Sequence, residues 1–256
     1  MIHPTAVISD KASIGENVTI GPFCVIDDDV TIGDGCVLKS HVVVRGTTRI
    51  GKNNTFYQFS SIGEDCQDKK YAGEPTNLII GDDNEFREGV TVHRGTIQDN
   101  SETIIGSRCL FMVNSHIAHD CVLGNDIILA NNVAVAGHVH IDDFVIVGGA
   151  VGIHQFCKVG AHAFLGAGGI ILRDTPPFVM VSGTKNIPQG INSEGLRRRG
   201  FDKDEIMAIK RAYKVIYREG NTVAEAVEIL SSQEAGSNGV ALMTAFLKNA
   251  ERGIIR

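Results

Sequence analysis

The sequence predicts a mainly β protein, a left-handed parallel β-helix of hexapeptide repeats followed by a C-terminal α-helical domain. An aliphatic or aromatic residue occupies every sixth position from Ile2 to Ile62, and the same spacing resumes from Ile105 to Ile171. A period of six fits neither an α-helix nor an ordinary strand, and it is typical of a repeat solenoid. Helix-start patterns at Asp202 and Thr222 then predict a separate helical region.

Each hexad predicts one short strand and one corner. The apolar residue is the first slot, the second slot is often Gly or a small polar residue, and the fifth is small or β-branched. We expect the first and fifth slots to point inward and three hexads to close a triangular coil. Coils then stack by parallel pairing at roughly 4.8 Å, and the stack buries a core that one repeat cannot bury alone. The left-handed turn is an exception to the right-handed crossover rule.

Two polar segments interrupt the repeat. The first spans about residues 63–79 and contains the sequence GEDCQDKKYAGEPTN. The second spans about 95–104 and contains GTIQDNSET, which shifts the hexad count by one. Polar loops on a regular scaffold are common places for binding residues.

The repeats stop at the sequence DTPP of residues 174–177. A linker rich in Gly, Pro and Asn is expected to about residue 200, followed by helices that start at Asp202 and Thr222. Glu lies three residues after each of these, as in a capping box. A last helix is predicted over roughly residues 240–250. The expected domains are residues 1–180, the β-helix with both loops, and residues 181–256, the linker and helical domain.

Composition excludes several functional classes. The net charge is −6, whereas nucleic-acid binding needs a basic surface. The N-terminal sequence MIHPTA has neither the basic nor the apolar segment of a signal peptide. No apolar run reaches membrane-spanning length, so no membrane insertion is expected. Five of the six cysteines fall on inward fifth slots and Cys66 lies in the first loop. This pattern predicts unpaired thiols and a cytoplasmic location.

Histidines concentrate in the second half of the solenoid, where seven of the nine lie between His93 and His162. His119, His138 and His154 occupy three successive coils, and we expect them to form an outward column on one flat face. Gly137 would lie directly over His119. An imidazole beside an exposed N–H can supply a general base and an oxyanion donor. The imidazoles could instead be solvated surface groups, or they could bind a metal ion. The metal site is less consistent with the sequence, because the histidine spacings do not place one ligand directly above another on the stacked coils.

Several motifs resemble the UDP-N-acetylglucosamine acyltransferases that begin lipid A synthesis, a family of hexapeptide-repeat enzymes. The resemblance covers essentially the whole chain, including its helical part. The motifs that carry it are HRGT at 93–96, HIAHDC at 116–121, AGHVHIDDF at 136–144, HQFCKVGAH at 154–162, DKKYAGEPT at 68–76 and NSEGLRRRGF at 192–201.

The resemblance implies transfer of a (3R)-3-hydroxyacyl group from acyl carrier protein to the sugar 3-hydroxyl of UDP-N-acetylglucosamine, without a cofactor or a metal. It also implies a homotrimer with active sites between subunits. His119 would be the general base, Asp120 would orient it, and the Gly137 N–H would stabilise the oxyanion. The implied substrate-binding residues are Gln67, Asp68, Lys70, His93, His116, His138, His154, Gln155, Asn192, Glu194, Arg198 and Arg199.

Two positions depart from the family pattern. Lys185 stands where members often have His, and Ala167 stands where some have Gly. Both belong to the acyl groove in the family, so the resemblance implies that they affect the preferred acyl length and leave the reaction type unchanged.

Two other enzyme functions remain open from the sequence. The same fold could acylate the nitrogen of a UDP-amino sugar, or it could form a trimeric zinc hydratase. A non-catalytic binding rod would show repetitive outward residues on one face, and none of the three faces has such an array.

Overall fold

In the described residues, three sheets form the sides of a triangular solenoid. Their strands run parallel except for the last strand, and the chain passes from one sheet to the next. The computed structural model describes residues 1–233, 236–250 and 252–256. We number the sheets as faces 1, 2 and 3 in the order in which the chain visits them. This architecture confirms the predicted fold class.

Within the described residues face 1 has nine strands, and His93, His116 and His154 lie in or directly after them. Its strands are β1 (Val7–Ile8), β4 (Val25–Ile26), β7 (Val43–Val44), β10 (Ser61–Glu64), β13 (Thr91–His93), β16 (His116–Ile117), β19 (Ala134–Val135), β22 (Gly152–Ile153) and β25 (Ile170–Ile171).

Face 2 has eight strands and face 3 has ten in the part of the chain that the structure describes. The strands of face 2 are β2 (Ser13–Ile14), β5 (Val30–Ile32), β8 (Thr47–Ile50), β11 (Asn77–Ile80), β14 (Glu102–Ile105), β17 (Val122–Leu123), β20 (His140–Ile141) and β23 (Lys158–Val159). Those of face 3 are β3 (Thr19–Ile20), β6 (Val37–Leu38), β9 (Thr55–Phe56), β12 (Glu85–Phe86), β15 (Leu110–Phe111), β18 (Ile128–Leu129), β21 (Ile146–Val147), β24 (Phe164–Leu165), β26 (Val179–Val181) and β27 (Pro188–Ile191).

Side chains of the first and fifth slots fill the interior, as the hexad pattern predicts. Phe56, Phe86 and Phe111 are fully buried. The first two rings stack at a centroid distance of 4.7 Å, and the Phe111 ring lies tilted against Phe86 at 4.9 Å. Inward amides also bond between coils, because the Asn54 Oδ1 accepts from the Asn84 N–H at 3.0 Å. All six cysteines are free and buried, which confirms the prediction of unpaired thiols.

The corners between faces have a backbone conformation that the sequence did not predict. The fourth slot of each hexad repeatedly takes a positive φ, for example +57° at Asp120 and +61° at His138. This left-handed region is uncommon for residues other than glycine. The third and fourth slots therefore lie at the corners, where the chain turns from one face to the next.

The strands on either side of the two loops do not end where the hexad pattern predicts. Strand β10 extends to Glu64 and β11 begins at Asn77, so the first loop comprises residues 65–76. Strand β13 ends at His93 and β14 begins at Glu102, so the second comprises residues 94–101. The parallel pairing of β10 with β13 and of β11 with β14 continues past the loops.

The segment after the last repeats is more ordered than the predicted linker. Strand β26 pairs in parallel with β24, and β27 returns antiparallel to β26. Helix α1 (Ser193–Arg198) follows, with the Asn192 side chain accepting from the Gly195 N–H. The expectation of a linker to residue 200 was wrong, because this segment adds strands to face 3 and packs at the adjoining corner. A domain boundary near residue 180 stays a prediction.

Three further helices complete the described chain: α2 (Lys203–Tyr217), α3 (Val223–Ser231) and α4 (Asn238–Lys248). Thr222 and Glu225 form the predicted capping box at α3. At α2 the Asp202 side chain accepts from the Glu205 N–H, but the Glu205 carboxylate accepts from the Gly239 N–H of α4 at 2.6 Å. Glu205 thus joins two helices. None of the helices in the described residues is long and apolar enough to cross a membrane.

His162 is a buried contact between the solenoid and the helical region. Its ring stacks between Phe144 at 4.8 Å and Phe178 at 5.5 Å, and Phe201 meets it edge-on. Burial, followed by the nearby Arg199 charge, lowers the pKa of His162 to about 4. The imidazole is therefore neutral in the folded protein at physiological pH.

We expect acidification to destabilise the protein partly through His162. Between its unfolded pKa of about 6.5 and its folded pKa of about 4, only the unfolded chain binds the proton, so stability falls as pH falls. His162→Phe keeps an aromatic ring in the stack, and Phe144 and Phe178 already adopt the same positive φ. Urea titrations at pH 7 and at about pH 5 measure the free energy of unfolding at each pH. Between these two values, that free energy should fall less in the variant than in the parent. An equal loss in both proteins would contradict this assignment.

Candidate active site

His119 lies at the corner between faces 1 and 2, where a buried carboxylate fixes its orientation. Its Nδ1 is 2.8 Å from the Asp120 Oδ2. Asp120 in turn accepts from the Thr96 N–H at 2.8 Å and from the Thr96 hydroxyl at 2.6 Å. Because Asp120 is an acceptor, the Nδ1 carries the proton. The Nε2 of His119 is then the basic atom, as a general base requires.

The Asp120 carboxylate is kept ionised by its hydrogen bonds. Burial by itself raises the pKa of Asp120, but the bonds from His119 and from the Thr96 hydroxyl and N–H outweigh it and lower that pKa below its usual value. The side chain of Asp120 is wholly buried, whereas that of His119 remains 14% exposed. The buried carboxylate charge of Asp120 can therefore stabilise the imidazolium form of His119, which is more accessible.

Gly137 lies directly over His119 in the next coil, as the register predicted. A Cβ on Gly137 would come within 2.6 Å of the His119 Cε1 and 2.7 Å of its Nε2, so only glycine fits against this ring. Within the described part of the chain, the Gly137 N–H donates no backbone hydrogen bond. A free N–H beside a general base is the arrangement of an oxyanion donor.

His138 is a second imidazole in contact with the first. The rings of His119 and His138 meet edge-to-face, with their centroids 4.9 Å apart. His138 also stacks on Phe156 at 4.4 Å, and its Nδ1 is 2.8 Å from the Asp99 Oδ2. Asp99 was not among the predicted site residues, because it belongs to the second loop and contacts His138 across 39 residues of sequence.

The expected column of three histidines on a flat face was wrong. His119 and His138 occupy the third and fourth slots, which form a corner, whereas His154 directly follows strand β22 on face 1. The His154 Nδ1 lies 3.0 Å from the carbonyl oxygen of Gln155. His154 nevertheless lines the same groove as His119.

His93 and His116 form a more buried pair beside the groove. Their rings meet at 4.9 Å, and the His116 Nδ1 is 2.7 Å from the Thr91 hydroxyl oxygen. Burial, followed by the charge of His116, lowers the pKa of His93 to about 4, and burial also lowers the pKa of His116. Both rings are therefore neutral at pH 7 and suit hydrogen bonding better than charge pairing.

The first loop contributes Gln67, Asp68 and Lys70 to the cavities that His119 also lines. Arg94 anchors this loop from below, because its guanidinium bonds to the Gly63 carbonyl and to Asp65, and to the Tyr71 hydroxyl at 3.1 Å. The Arg94 side chain is almost fully buried. The sequence does not predict this anchor, although Arg94 belongs to the HRGT motif.

Two different cavities meet at His119. One is an open groove of about 570 Å³ along face 1, with an apolar floor that includes Ala136, Ile153, Ile170 and Leu172. The other is a smaller, polar pocket whose lining includes Asp68, Lys70, Gln98, Asp99, His138 and Gln155. The floor of the first suits an apolar ligand part, although His93, His116 and His154 also line that groove, and the second suits a polar ligand part. The base therefore lies at the junction of an apolar and a polar binding region.

Four predicted substrate-binding residues are not brought to this site within one chain. Asn192, Glu194, Arg198 and Arg199 belong to helix α1 and its ends, at the corner between faces 2 and 3. There the Asn192 Nδ2 donates to the His162 carbonyl at 3.1 Å, and the Arg199 guanidinium lies over the Phe144 ring at 5.1 Å. His119 is on the opposite edge of face 2.

The two predicted acyl-length residues also lie away from His119. Ala167 is exposed at the corner between faces 3 and 1, just before Ile170, and Lys185 is exposed between β26 and β27. Ile170 continues the apolar floor of the groove, with 60% of its surface exposed. Ala167 thus lies at the far edge of the face that carries the groove.

Comparison with known proteins identifies the family. A family model of bacterial transferase hexapeptide repeats matches residues 11–46, and the model described as UDP N-acetylglucosamine O-acyltransferase, domain 2, matches residues 174–255. LpxA from Acinetobacter baumannii is 51% identical, with 100% of this chain and 99% of that one covered and a TM-score of 0.98. The chain belongs to the UDP-N-acetylglucosamine O-acyltransferase family.

Other solved members agree over the full length. The UDP-N-acetylglucosamine O-acyltransferase of Moraxella catarrhalis is 45% identical with a TM-score of 0.97, and covers 100% of this chain and 99% of its own. The Arabidopsis UDP-N-acetylglucosamine acyltransferase is 34% identical with a TM-score of 0.86, covering 100% of both chains. The family resemblance expected from the motifs is confirmed, and the chain is an acyltransferase. The roles of individual site residues remain predictions.

Proposed function

We propose that this protein transfers a (3R)-3-hydroxyacyl chain from acyl carrier protein to the 3-hydroxyl of UDP-N-acetylglucosamine, the first step of lipid A biosynthesis. The observation that carries the proposal is the position of His119, between an apolar groove suited to an acyl chain and a polar pocket suited to a sugar nucleotide. Relatives named for UDP-N-acetylglucosamine acylation, one of them 45% identical over the whole chain, support the choice of acceptor.

The catalytic step follows from the His119 geometry. The Nε2 takes the proton of the 3-hydroxyl while the sugar oxygen attacks the thioester carbonyl carbon. The Gly137 N–H donates to the oxyanion of the resulting tetrahedral intermediate. The intermediate collapses by breaking the C–S bond, and the imidazolium returns its proton to the departing sulfur. Asp120, already ionised and bonded to the Nδ1, stabilises that imidazolium.

The remaining predicted residues near His119 divide between the polar pocket and the groove along face 1. Asp68, Lys70, His138 and Gln155 line the polar pocket and would hold the sugar and phosphates. Gln67, His93, His116 and His154 border the same junction from face 1. The neutral His93 and His116 would donate or accept single hydrogen bonds without competing for the charge of the diphosphate.

A homotrimer would complete the site. Asn192, Glu194, Arg198 and Arg199 cannot reach His119 within one rod, since a whole face separates their corners. A neighbouring copy that places its corner between faces 2 and 3 against face 1 would supply these residues to the uridine side. The cleft formed in this way would also exclude water from the thioester. Six free thiols fit a cytoplasmic location for such an enzyme.

The first test is the loss of transfer in His119→Ala. Removing a general base typically lowers turnover by about 10²–10⁴-fold, and the accessible position of the side chain should leave the fold intact. Product mass after incubation with UDP-N-acetylglucosamine and acyl carrier protein thioesters measures the effect. Thermal unfolding controls for folding. Near-parental turnover in the variant would remove His119 as the base, and acylation only of the 3-amino analogue would favour N-acyl transfer.

The second test is complementation between two inactive variants. His119→Ala lacks the base and Arg199→Ala lacks a predicted uridine contact, and each homotrimer should be nearly inactive. If one copy supplies His119 and its neighbour supplies Arg199, mixed trimers recover intact clefts. Random assortment of equal amounts makes about a quarter of the clefts intact. Refolding or co-expressing the two variants should therefore restore a substantial fraction of activity. No recovery from verified mixed trimers would contradict the shared site.

The third test concerns acyl length. Ala167 would narrow the end of the acyl groove relative to a glycine, and each excluded CH₂ loses roughly 0.8 kcal/mol of burial. Ala167→Gly should shift the preferred donor to a longer chain and Ala167→Met to a shorter one, with turnover on the preferred donor unchanged. Competition between donors of adjacent even length measures this preference. If both variants keep the parental profile, Ala167 does not set the length and Lys185 becomes the next position to vary.

A further inference from the structure

The site contains two imidazole–carboxylate pairs, and only the first has been assigned a role. His119 bonds to Asp120, its neighbour in sequence, whereas the His138 Nδ1 bonds to the Asp99 Oδ2 at 2.8 Å. The two rings touch edge-to-face at 4.9 Å. Asp99 also lines the polar pocket into which His138 faces. A second carboxylate so close to the reacting base requires an explanation.

Both pairs depend on the loop of residues 94–101, which interrupts the hexad repeat. Thr96 holds Asp120 through its N–H and its hydroxyl, and Asp99 holds His138 directly. The loop closes on itself, because the N–H groups of Asp99 and Ser101 both donate to the Thr96 carbonyl, at 3.3 and 3.1 Å. The same closed loop thus supplies Thr96, which holds the carboxylate that orients His119, and Asp99, which orients His138.

His138 needs this second contact, because its stacking leaves one degree of freedom open. The ring is nearly parallel to Phe156, with an interplanar angle of 8° at 4.4 Å. Stacking fixes the plane of the ring. A half-turn about the Cβ–Cγ bond keeps that plane but exchanges the positions of the ring nitrogens with those of ring carbons, so stacking does not favour either orientation. A carboxylate acceptor at the Nδ1 removes that choice, and it also fixes the proton on the Nδ1.

We propose that Asp99 is a positioning residue that holds His138 in a single flip state and tautomer, so that the Nε2 faces the acceptor. The proposal rests on the proposed function, in which His138 binds the sugar or phosphates of UDP-N-acetylglucosamine. Asp99 acts through His138 and does not touch the substrate itself. The second loop therefore serves to orient both histidines of the junction.

The experiment compares Asp99→Ala with Asp99→Asn in the trimeric enzyme. Losing a charged hydrogen bond typically weakens an interaction by about tenfold to a hundredfold. Asp99→Ala should raise KM for UDP-N-acetylglucosamine by that factor, with kcat within about threefold of the parent. Asp99→Asn should recover most of the loss, because its amide oxygen still accepts from the Nδ1–H. Asn100→Ala, an exposed change in the same loop, should leave both constants unchanged.

A double-mutant cycle with His138→Ala then separates positioning from direct contact. If Asp99 acts only through His138, adding Asp99→Ala to His138→Ala produces no further rise in KM. Additive effects would overturn the proposal, and so would an Asp99→Asn variant as impaired as Asp99→Ala. These outcomes are distinct from failure of the proposed function, in which the parental protein itself would not acylate UDP-N-acetylglucosamine.

Discussion

The parallel backbone pairing between successive coils is the constraint on which the rest of the molecule depends. Ile117 pairs with Val135 and Val135 with Ile153, so every slot of one hexad lies over the same slot of the coil below. This register places Gly137 against the His119 ring, where a side chain would collide. A one-residue slip would turn the inward residues outward and would also separate the base from its oxyanion donor. Core packing and catalytic geometry thus depend on the same hydrogen bonds.

A regular repeat cannot supply all the polar partners that a reaction site needs, and the two loops provide them. The Asp120 carboxylate is buried, and burying an unpaired charge costs several kcal/mol. Thr96 from the second loop satisfies both oxygens of that carboxylate. The first loop likewise depends on the buried Arg94, whose guanidinium bonds to loop and strand atoms. The loops insert without breaking the solenoid because strands β10, β11, β13 and β14 pair across them.

The sequence predicted those parts of the structure that repeat or that lie close along the chain. Hexad counting located the strands, the inward cysteines and the contact between Gly137 and His119, because all three depend on slot number alone. It did not predict the positive φ at the corners, and so it placed His119, His138 and His154 on one flat face. Asp99 was missed because a side-chain contact made by a loop has no period. The linker prediction failed at β27 and α1, where packing against the last coil overrides a composition rich in Gly and Pro.

The separation of the predicted binding residues over two corners follows from the shape of the solenoid. A three-sided rod with continuous hydrogen bonding cannot fold one corner onto another, because its coils contact only their neighbours along the axis. Arg199 is further held to its own corner by the Phe144 ring and by the His162 Nδ1, at 3.3 Å from its Nη1. Large movement of Arg199 toward His119 of the same chain would break this packing. A site that needs both residues must therefore be assembled between two rods, with the rigidity of each rod setting the distance between them.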